Sequence, residues 1–256
     1  MPIKITKITG MFFFAWISAA AAAAPVLAAD TPQCTLSQDK FDELATVQND
    51  ISLSYLTEIK KELAIRKQLL GETMDCAMSE AESVRTNLSG ATLNDSAMQN
   101  LKSRLMDQLD NAENYFALQK SKINDLGLQG SKDFAKNLNE WRDGNYKPAA
   151  ENANDLIIWA NNQGLFQSAE ARINQISRTM VLLTIVDNDE IQNLWDEARA
   201  SLSDAVKENE SAKTSLGGFA PSEESSSHIK SSLDFLSLTY KNLLALAGVI
   251  TKSLVK

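Results

Sequence analysis

The sequence has little histidine, cysteine, proline or glycine, and these shortages exclude several classes of protein. Its 256 residues include one His, two Cys, five Pro and ten Gly. A single His leaves few metal sites and few Ser-His or Cys-His catalytic centres to consider. Scarce glycine and proline exclude a collagen-like repeat, and an apolar fraction of 44% excludes disorder along the whole chain.

The sequence motifs that usually accompany catalysis are also missing. No glycine-rich phosphate loop, nucleophile elbow or His-Glu-x-x-His pattern occurs. The acidic residues are interspersed with Lys and Arg, which indicates solvated helix faces rather than paired catalytic carboxylates. The Cys-x-x-Cys-His haem motif is absent, so His228 is predicted to be a solvent-exposed residue at the start of the last helix. We therefore expect no enzymatic activity, no metal site and no cofactor.

The N-terminal residues have the composition of a secretory signal peptide. Lys4 and Lys7 precede an apolar run over residues 11–24, and Pro25 ends that run. The run is shorter than the ~20 residues of a spanning helix, and cleavage is expected between Ala28 and Ala29. An uncleaved N-terminal anchor is the alternative. The prediction is an exported protein that is periplasmic or extracellular.

Charge limits the partners of the mature chain. The sequence carries 25 Lys and Arg against 33 Asp and Glu, and loss of residues 1–28 removes two Lys and changes the net charge from −8 to −10. A nucleic-acid binder needs cations to neutralise phosphates, so no nucleic-acid partner is expected. Since the sequence shows no second clean apolar stretch of spanning length, no stable membrane insertion is expected.

Apolar residues recur at steps of three and four along the mature chain, which predicts amphipathic helices. No Pro occurs between Gln33 and Lys147, and no alternating strand pattern is present. The first predicted segment runs from a capping box at Thr35 and Gln38 to Gly90, the second from Ser96 to Leu126, and a short third is capped by Ser131 and followed by a turn at 143–145. The fourth starts at Pro148 and is kinked or split at Gly164. The fifth runs from a capping box at Asp187 and Glu190 to Gly217, and the last follows Ser225.

Together these segments predict the fold class and the domain organisation. Chains of long amphipathic helices bury their apolar stripes against one another. The prediction is an all-α, elongated bundle of about five to seven helices that forms a single domain over residues 29–256. Residues 217–225 are the candidate for an internal boundary.

The two cysteines constrain the first helical segment. An exported chain with two Cys favours a disulfide between Cys34 and Cys76. One straight helix over residues 36–89 would hold them ~60 Å apart, whereas a bridge needs Cα atoms within ~7 Å. A turn near residues 49–54, which are rich in Asn, Asp and Ser, removes the conflict. The alternative is an unbroken helix with unbridged thiols or bridges to another chain.

One stretch has the composition of a site. Residues 141–146 join two aromatic residues and an arginine to the predicted turn. Trp141, Arg142, Tyr146 and Trp159 are therefore the candidate ligand or partner site, with burial in the core as the alternative for the aromatic residues.

Three functions are compatible with this sequence. The leading one is an exported, non-enzymatic helical interaction or scaffold module of the cell envelope, with a protein as its partner. The second is a periplasmic small-molecule sensor or carrier with a pocket between helices. The third is a membrane-acting helical protein of the pore-forming kind.

Overall fold

The computed structural model describes residues 37–183, 188–218 and 222–255, which form helices and connecting turns without any strand. The prediction of an all-α helical bundle is confirmed. The predicted signal peptide and Cys34 lie outside the described residues. The helices are α1 (Gln38–Asn49), α2 (Tyr55–Gly90), α3 (Ser96–Lys122), α4 (Leu128–Trp141), α5 (Lys147–Leu183), α6 (Asp189–Gly217) and α7 (Ser222–Val255), with a 3₁₀ turn at Ile123–Asp125 and a π-helical turn at Arg142–Tyr146.

The first helical segment is a hairpin, broken where the cysteine argument places the break. The side chain of Asp50 accepts a hydrogen bond from the Ser52 amide at 3.0 Å. Ser54 caps α2 and accepts from the Thr57 amide at 3.4 Å. The end of α1 then packs on α2, with Val47 in one cluster with Ile65 and Leu69. The disulfide itself stays a prediction, because only Cys76 lies among the described residues.

The turn also corrects the predicted buried stripe of this segment. The apolar periodicity placed Ile51 and Tyr55 on the buried face, but both side chains are exposed. Ile51 lies within the turn, and Tyr55 is the first residue of α2. Further along the predicted stripe Ile59 and Leu63 are half-buried, and Leu70 and Met74 are buried.

The region between α4 and α5 differs most from the prediction. α4 begins at Leu128, and Ser131 is a buried residue inside it rather than its cap. The predicted turn at 143–145 is wrong, because the chain stays helical through the π-helical turn into α5. Pro148 lacks an N–H, and its ring would clash with the carbonyl four residues earlier in a regular helix. A widened turn directly before Pro148 relieves that clash.

Two smaller predictions are corrected in α5 and α6. Gly164 does not split its segment, since α5 runs without interruption from Lys147 to Leu183. The cap of α6 is Asn188, whose side chain accepts from the amides of Glu190 at 3.0 Å and Ile191 at 3.2 Å. Asp187, the first member of the predicted capping box, lies outside the described residues.

The described residues group into two compact units. The first unit contains the described residues of 37–163 and 208–230. The second unit contains the described residues of 164–207 and 231–255. The described residues of the predicted boundary, 217–218 and 222–225, lie inside the first unit. The single-domain organisation stays a prediction.

The first unit is built around the first half of α5. Between residues 149 and 162 this helix has buried residues on all sides, including polar ones, which is typical of a central helix. Helices α2 and α3 supply most of the remaining core, with fully buried side chains at Met74, Leu88, Met98, Leu101, Leu105, Leu109 and Phe116.

The second unit has two apolar clusters shared by three helices. Phe166 and Ala169 of α5 pack with Leu202 and Ala205 of α6 and with Leu236 of α7. A second cluster joins the same helices further along the chain, through Met180, Ile191, Trp195, Leu246 and Ile250. From the first cluster to the second, residue numbers increase along both α5 and α7 and decrease along α6. Helices α5 and α7 therefore run in the same direction, and α6 runs in the opposite one.

Candidate functional site: an aromatic cluster at a π-helical turn

An aromatic stack marks the end of α4. The ring of Trp141 lies against that of Tyr115 on α3, with centroids 3.6 Å apart and planes inclined by 12°. Beneath them Phe116 meets Trp141 edge to face at 5.4 Å. Phe116 is fully buried, whereas Tyr115 and Trp141 are half-buried. One side of the stack therefore belongs to the core and the other to the surface.

The π-helical turn aligns two aromatic side chains that a regular helix would separate. Positions five apart point about 140° away from each other on an α-helix. Hydrogen bonds from residue i to i+5 widen the turn between Trp141 and Tyr146. As a result Tyr146 also meets Phe116, with centroids 5.6 Å apart and planes inclined by 76°. Such turns occur frequently at functional sites.

Arg142 ties this turn to α2. Its Nη2 atom donates to Glu80 Oε2 at 3.1 Å, and the two side chains are 40% and 28% exposed. Its guanidinium also lies over the Tyr146 ring, 5.8 Å from the centroid. The arginine is thus held in place and still reaches the surface beside the aromatic stack.

Two buried polar atoms of this cluster have no hydrogen-bond partner among the described residues, the Tyr146 hydroxyl and Glu113 Oε1. The hydroxyl lies beside the Glu80 carboxylate without a hydrogen bond of ordinary geometry. Burial, and then the nearby negative charge of Glu80, raise the pKa of Tyr146. Burial likewise raises the pKa of Glu113. Both groups are therefore held in a poorly solvated environment.

Trp159 does not join the other three predicted site residues. It lies about 20 Å beyond Tyr146 along α5 and is almost wholly buried. Its Nε1 donates to the Asn209 carbonyl at 3.3 Å. Gln163 and Asn209 exchange side-chain hydrogen bonds at 3.2 and 3.3 Å beside it. Trp159 is a core residue that holds α5 against α6.

Sequence reasoning missed the partners from α2 and α3. Phe116 is in the predicted apolar stripe, and its neighbour Tyr115 could have been noted as an aromatic residue at the edge of that stripe. Nothing in the sequence connects Glu80 with Arg142, because the contact depends on how α2 packs beside the π-helical turn.

A second polar group lies where α5 meets the start of α7. The buried carboxylate of Asp155 accepts from the hydroxyls of Ser225 at 2.5 Å and Ser226 at 2.6 Å. Glu151, one turn earlier, accepts from Ser222 at 2.9 Å. Burial raises the pKa of Asp155 despite the two hydroxyl donors. These contacts fix the first turn of α7, so we interpret the group as structural.

His228 is not the freely solvated residue that the sequence predicts. Its Nδ1 lies 2.7 Å from Glu208 Oε2, and the two side chains are 32% and 26% exposed. The pair links α6 to α7 near the surface of the first unit.

The described residues contain no group of three or more His, Cys, Asp or Glu that could hold a metal ion. An open depression on α2 is lined by Ser79, Glu82, Ser83, Thr86 and Asn87, which all belong to that one helix. One helix among the described residues, over Ser222–Lys252, is long and apolar enough to cross a membrane by length and composition alone.

No family model, curated protein or solved structure matches this chain.

Proposed function

We propose that this protein is a non-enzymatic helical interaction module of the cell envelope and binds a partner protein. The observation that carries the proposal is the half-buried stack of Tyr115 and Trp141 beside the partly exposed Arg142. Tyr, Trp and Arg are the residues in which binding hot spots are enriched. We call this surface the Trp141 surface, defined by Tyr115, Trp141 and Arg142.

Rigidity supports the same proposal. Each member of the Trp141 surface is held before any partner arrives, Trp141 by Tyr115 and Phe116 and Arg142 by Glu80. A preorganised surface loses little side-chain freedom on binding, and that loss is one of the main costs of association. The envelope location rests on the predicted signal peptide at residues 1–28 and is proposed with it.

The test is capture of partners from an envelope extract by the mature chain. Proteins recovered with the wild type should be lost with Trp141→Ala and with Tyr115→Ala, because both changes remove the stack. Tyr55→Ala with Leu56→Ala is the matched control, since these exposed side chains lie on α2 of the same unit. Recovery of the same partners with all the variants would contradict the proposal.

A small-molecule carrier is the second candidate, and the unpartnered Tyr146 hydroxyl and Glu113 oxygen favour it. Buried polar atoms normally have a hydrogen-bond partner. Two such atoms without a partner among the described residues are compatible with a bound polar molecule. Native mass spectrometry of protein purified from its source would detect such a ligand. A mass equal to that of the bare chain, with unchanged Trp fluorescence across a metabolite panel, would exclude this candidate.

A further inference from the structure

The outward face of α7 in the second unit is largely apolar from Leu238 onward, and its charged residues there are Lys241 and Lys252. Exposed residues recur at steps of three and four along it, which places them on one side of the helix. We call this side from Leu238 onward the α7 face, and its members are Leu238, Lys241, Leu244, Ala245, Gly248, Thr251 and Lys252.

The charges of the second unit are sorted by helix. Residues 235–255 contain Lys241 and Lys252 and no acidic residue, and residues 171–183 of α5 contain Arg172 and Arg178 and no acidic residue. Residues 189–207 of α6 instead carry five acidic residues against two basic ones. Within the second unit Glu170 precedes the first range and Asp234 the second, so the described parts of α5 and α7 each carry two basic residues against one acidic residue, in a protein with an acidic total.

A contact between α5 and α7 brings one of these arginines to α7. The guanidinium of Arg172 lies over the ring of Tyr240, 5.7 Å from its centroid. Tyr240 donates its hydroxyl to the Leu165 carbonyl at 3.2 Å. Lys241 follows Tyr240 directly in the chain, so Arg172 of α5 contacts the turn of α7 that carries Lys241.

α7 also has more apolar surface than the core uses. Only 33% of its most apolar 18-residue stretch is buried. Leu244 is 56% exposed within the α7 face. Two lysines on that face disfavour full insertion into hydrocarbon, whereas a helix of mixed apolar and basic surface is suited to lie in the membrane interface.

We propose that the α7 face docks on a lipid bilayer surface that carries anionic headgroups. Leu238 and Leu244 enter the boundary between headgroups and acyl chains, and Lys241 and Lys252 contact the anionic headgroups. The acidic total charge does not prevent this contact, because at physiological salt charges further away than about 8 Å are largely screened. The inference concerns the second unit and does not depend on the Trp141 surface.

The experiment is sedimentation of the mature chain with vesicles. One set is phosphatidylcholine alone, and the other is phosphatidylcholine with an equal part of phosphatidylglycerol. Binding is expected to the anionic vesicles only, with release at high salt. Each lysine near an anionic surface contributes about a fivefold gain in affinity, so Lys241→Gln with Lys252→Gln should weaken binding about 25-fold. Leu244→Ser should weaken it as well.

The matched control is Lys60→Gln with Lys61→Gln, which changes the net charge equally at two exposed positions of α2. This control should bind as the wild type does, and circular dichroism should show that every variant is folded. Equal binding to both vesicle types, or equal loss in the two lysine variants, would overturn the proposal. Absence of binding to both vesicle types would also overturn it. Crosslinking of residue 244 to an acidic protein in that case would assign the α7 face to a protein partner.

Discussion

The indole of Trp141 lies face to face with the phenol ring of Tyr115, with ring centroids 3.6 Å apart. This contact joins α3 to the start of the π-helical turn, and both residues of the stack are half-buried. Trp141 and Trp159 were both candidate site residues in the sequence, but the structure gives them different surroundings. Trp141 lies at the surface of its cluster, whereas Trp159 lies in the core.

The two tryptophans should therefore differ in their effect on stability. Trp159→Ala is expected to lower the free energy of unfolding by about 3–5 kcal/mol, because it leaves a large cavity in the core. Trp141→Ala should cost clearly less, since its indole is half exposed and its stacking contributes about 1 kcal/mol beyond buried area. Urea unfolding measures both. Equal losses would contradict the assignment of Trp141 to the surface.

Two tyrosine hydroxyls, that of buried Tyr146 and that of half-buried Tyr240, provide a second comparison. Tyr146→Phe removes a hydroxyl with no hydrogen-bond partner among the described residues, so stability should stay constant or rise by about 1 kcal/mol. Tyr240→Phe removes a hydroxyl that donates to the Leu165 carbonyl and should lower stability by about 1 kcal/mol. Thermal melting at one pH compares them. A large loss in Tyr146→Phe would reveal a partner for that hydroxyl.

Asp155 should make stability depend on pH. Burial raises the pKa of this carboxyl in the folded state, so the folded chain binds the proton more tightly than the unfolded chain does. Its contribution to the free energy of unfolding therefore falls as pH rises from the ordinary Asp value of about 4 to the raised pKa, and is constant above it. Asp155→Asn removes this loss, so the variant should gain stability relative to the wild type over that interval.

Asp95→Asn is the control with the opposite sign. The Lys213 ammonium lowers the pKa of Asp95, which also caps α3. Its contribution is present above the ordinary Asp pKa and is lost as pH falls through the lowered one. Relative to the wild type, this variant should lose stability as pH rises. Unfolding curves at a series of pH values check both, and slopes of the same sign would contradict the assignments.

Two leucines of α3 test the assignment of its faces. Leu105 is fully buried, whereas Leu118 is 58% exposed. Leu105→Asp places a charge in the core and should destabilise the first unit by more than about 4 kcal/mol or prevent folding. Leu118→Asp should change stability by less than about 0.5 kcal/mol. Circular dichroism with thermal melting distinguishes these outcomes, and a folded Leu105→Asp variant would contradict the burial of this stripe.

The predicted bridge between Cys34 and Cys76 can be tested directly. A loop of about 40 residues closed by a disulfide should add about 2–4 kcal/mol of stability in the chain-entropy model. Mass spectrometry of the mature chain from an oxidising compartment should show no free thiol, and reduction should lower the melting temperature. Cys34→Ser should match the reduced protein. If both thiols react freely in the native protein, the bridge is excluded and the hairpin of α1 and α2 stands on its packing alone.

Local patterns predicted much of the fold because they act over a few residues. The apolar steps of three and four identified the helices, and the cluster of Asn, Asp and Ser identified the turn between Asn49 and Tyr55. The same kind of reasoning failed at 143–145, where Gly and Asn favour a turn but the chain remains helical. Packing of Trp141 and Tyr146 against Phe116 outweighed that local preference.

The sequence by itself determined the helical class, the broken first segment and the aromatic composition of residues 141–146, because periodicity and turn preference are properties of neighbouring residues. Only the tertiary structure decided which residues meet. It joined Trp141 to Tyr115 and Arg142 to Glu80, and it moved Trp159 into the core beside Asn209. Such contacts depend on how whole helices pack, and the relative rotation of two helices is not encoded in the spacing of either one.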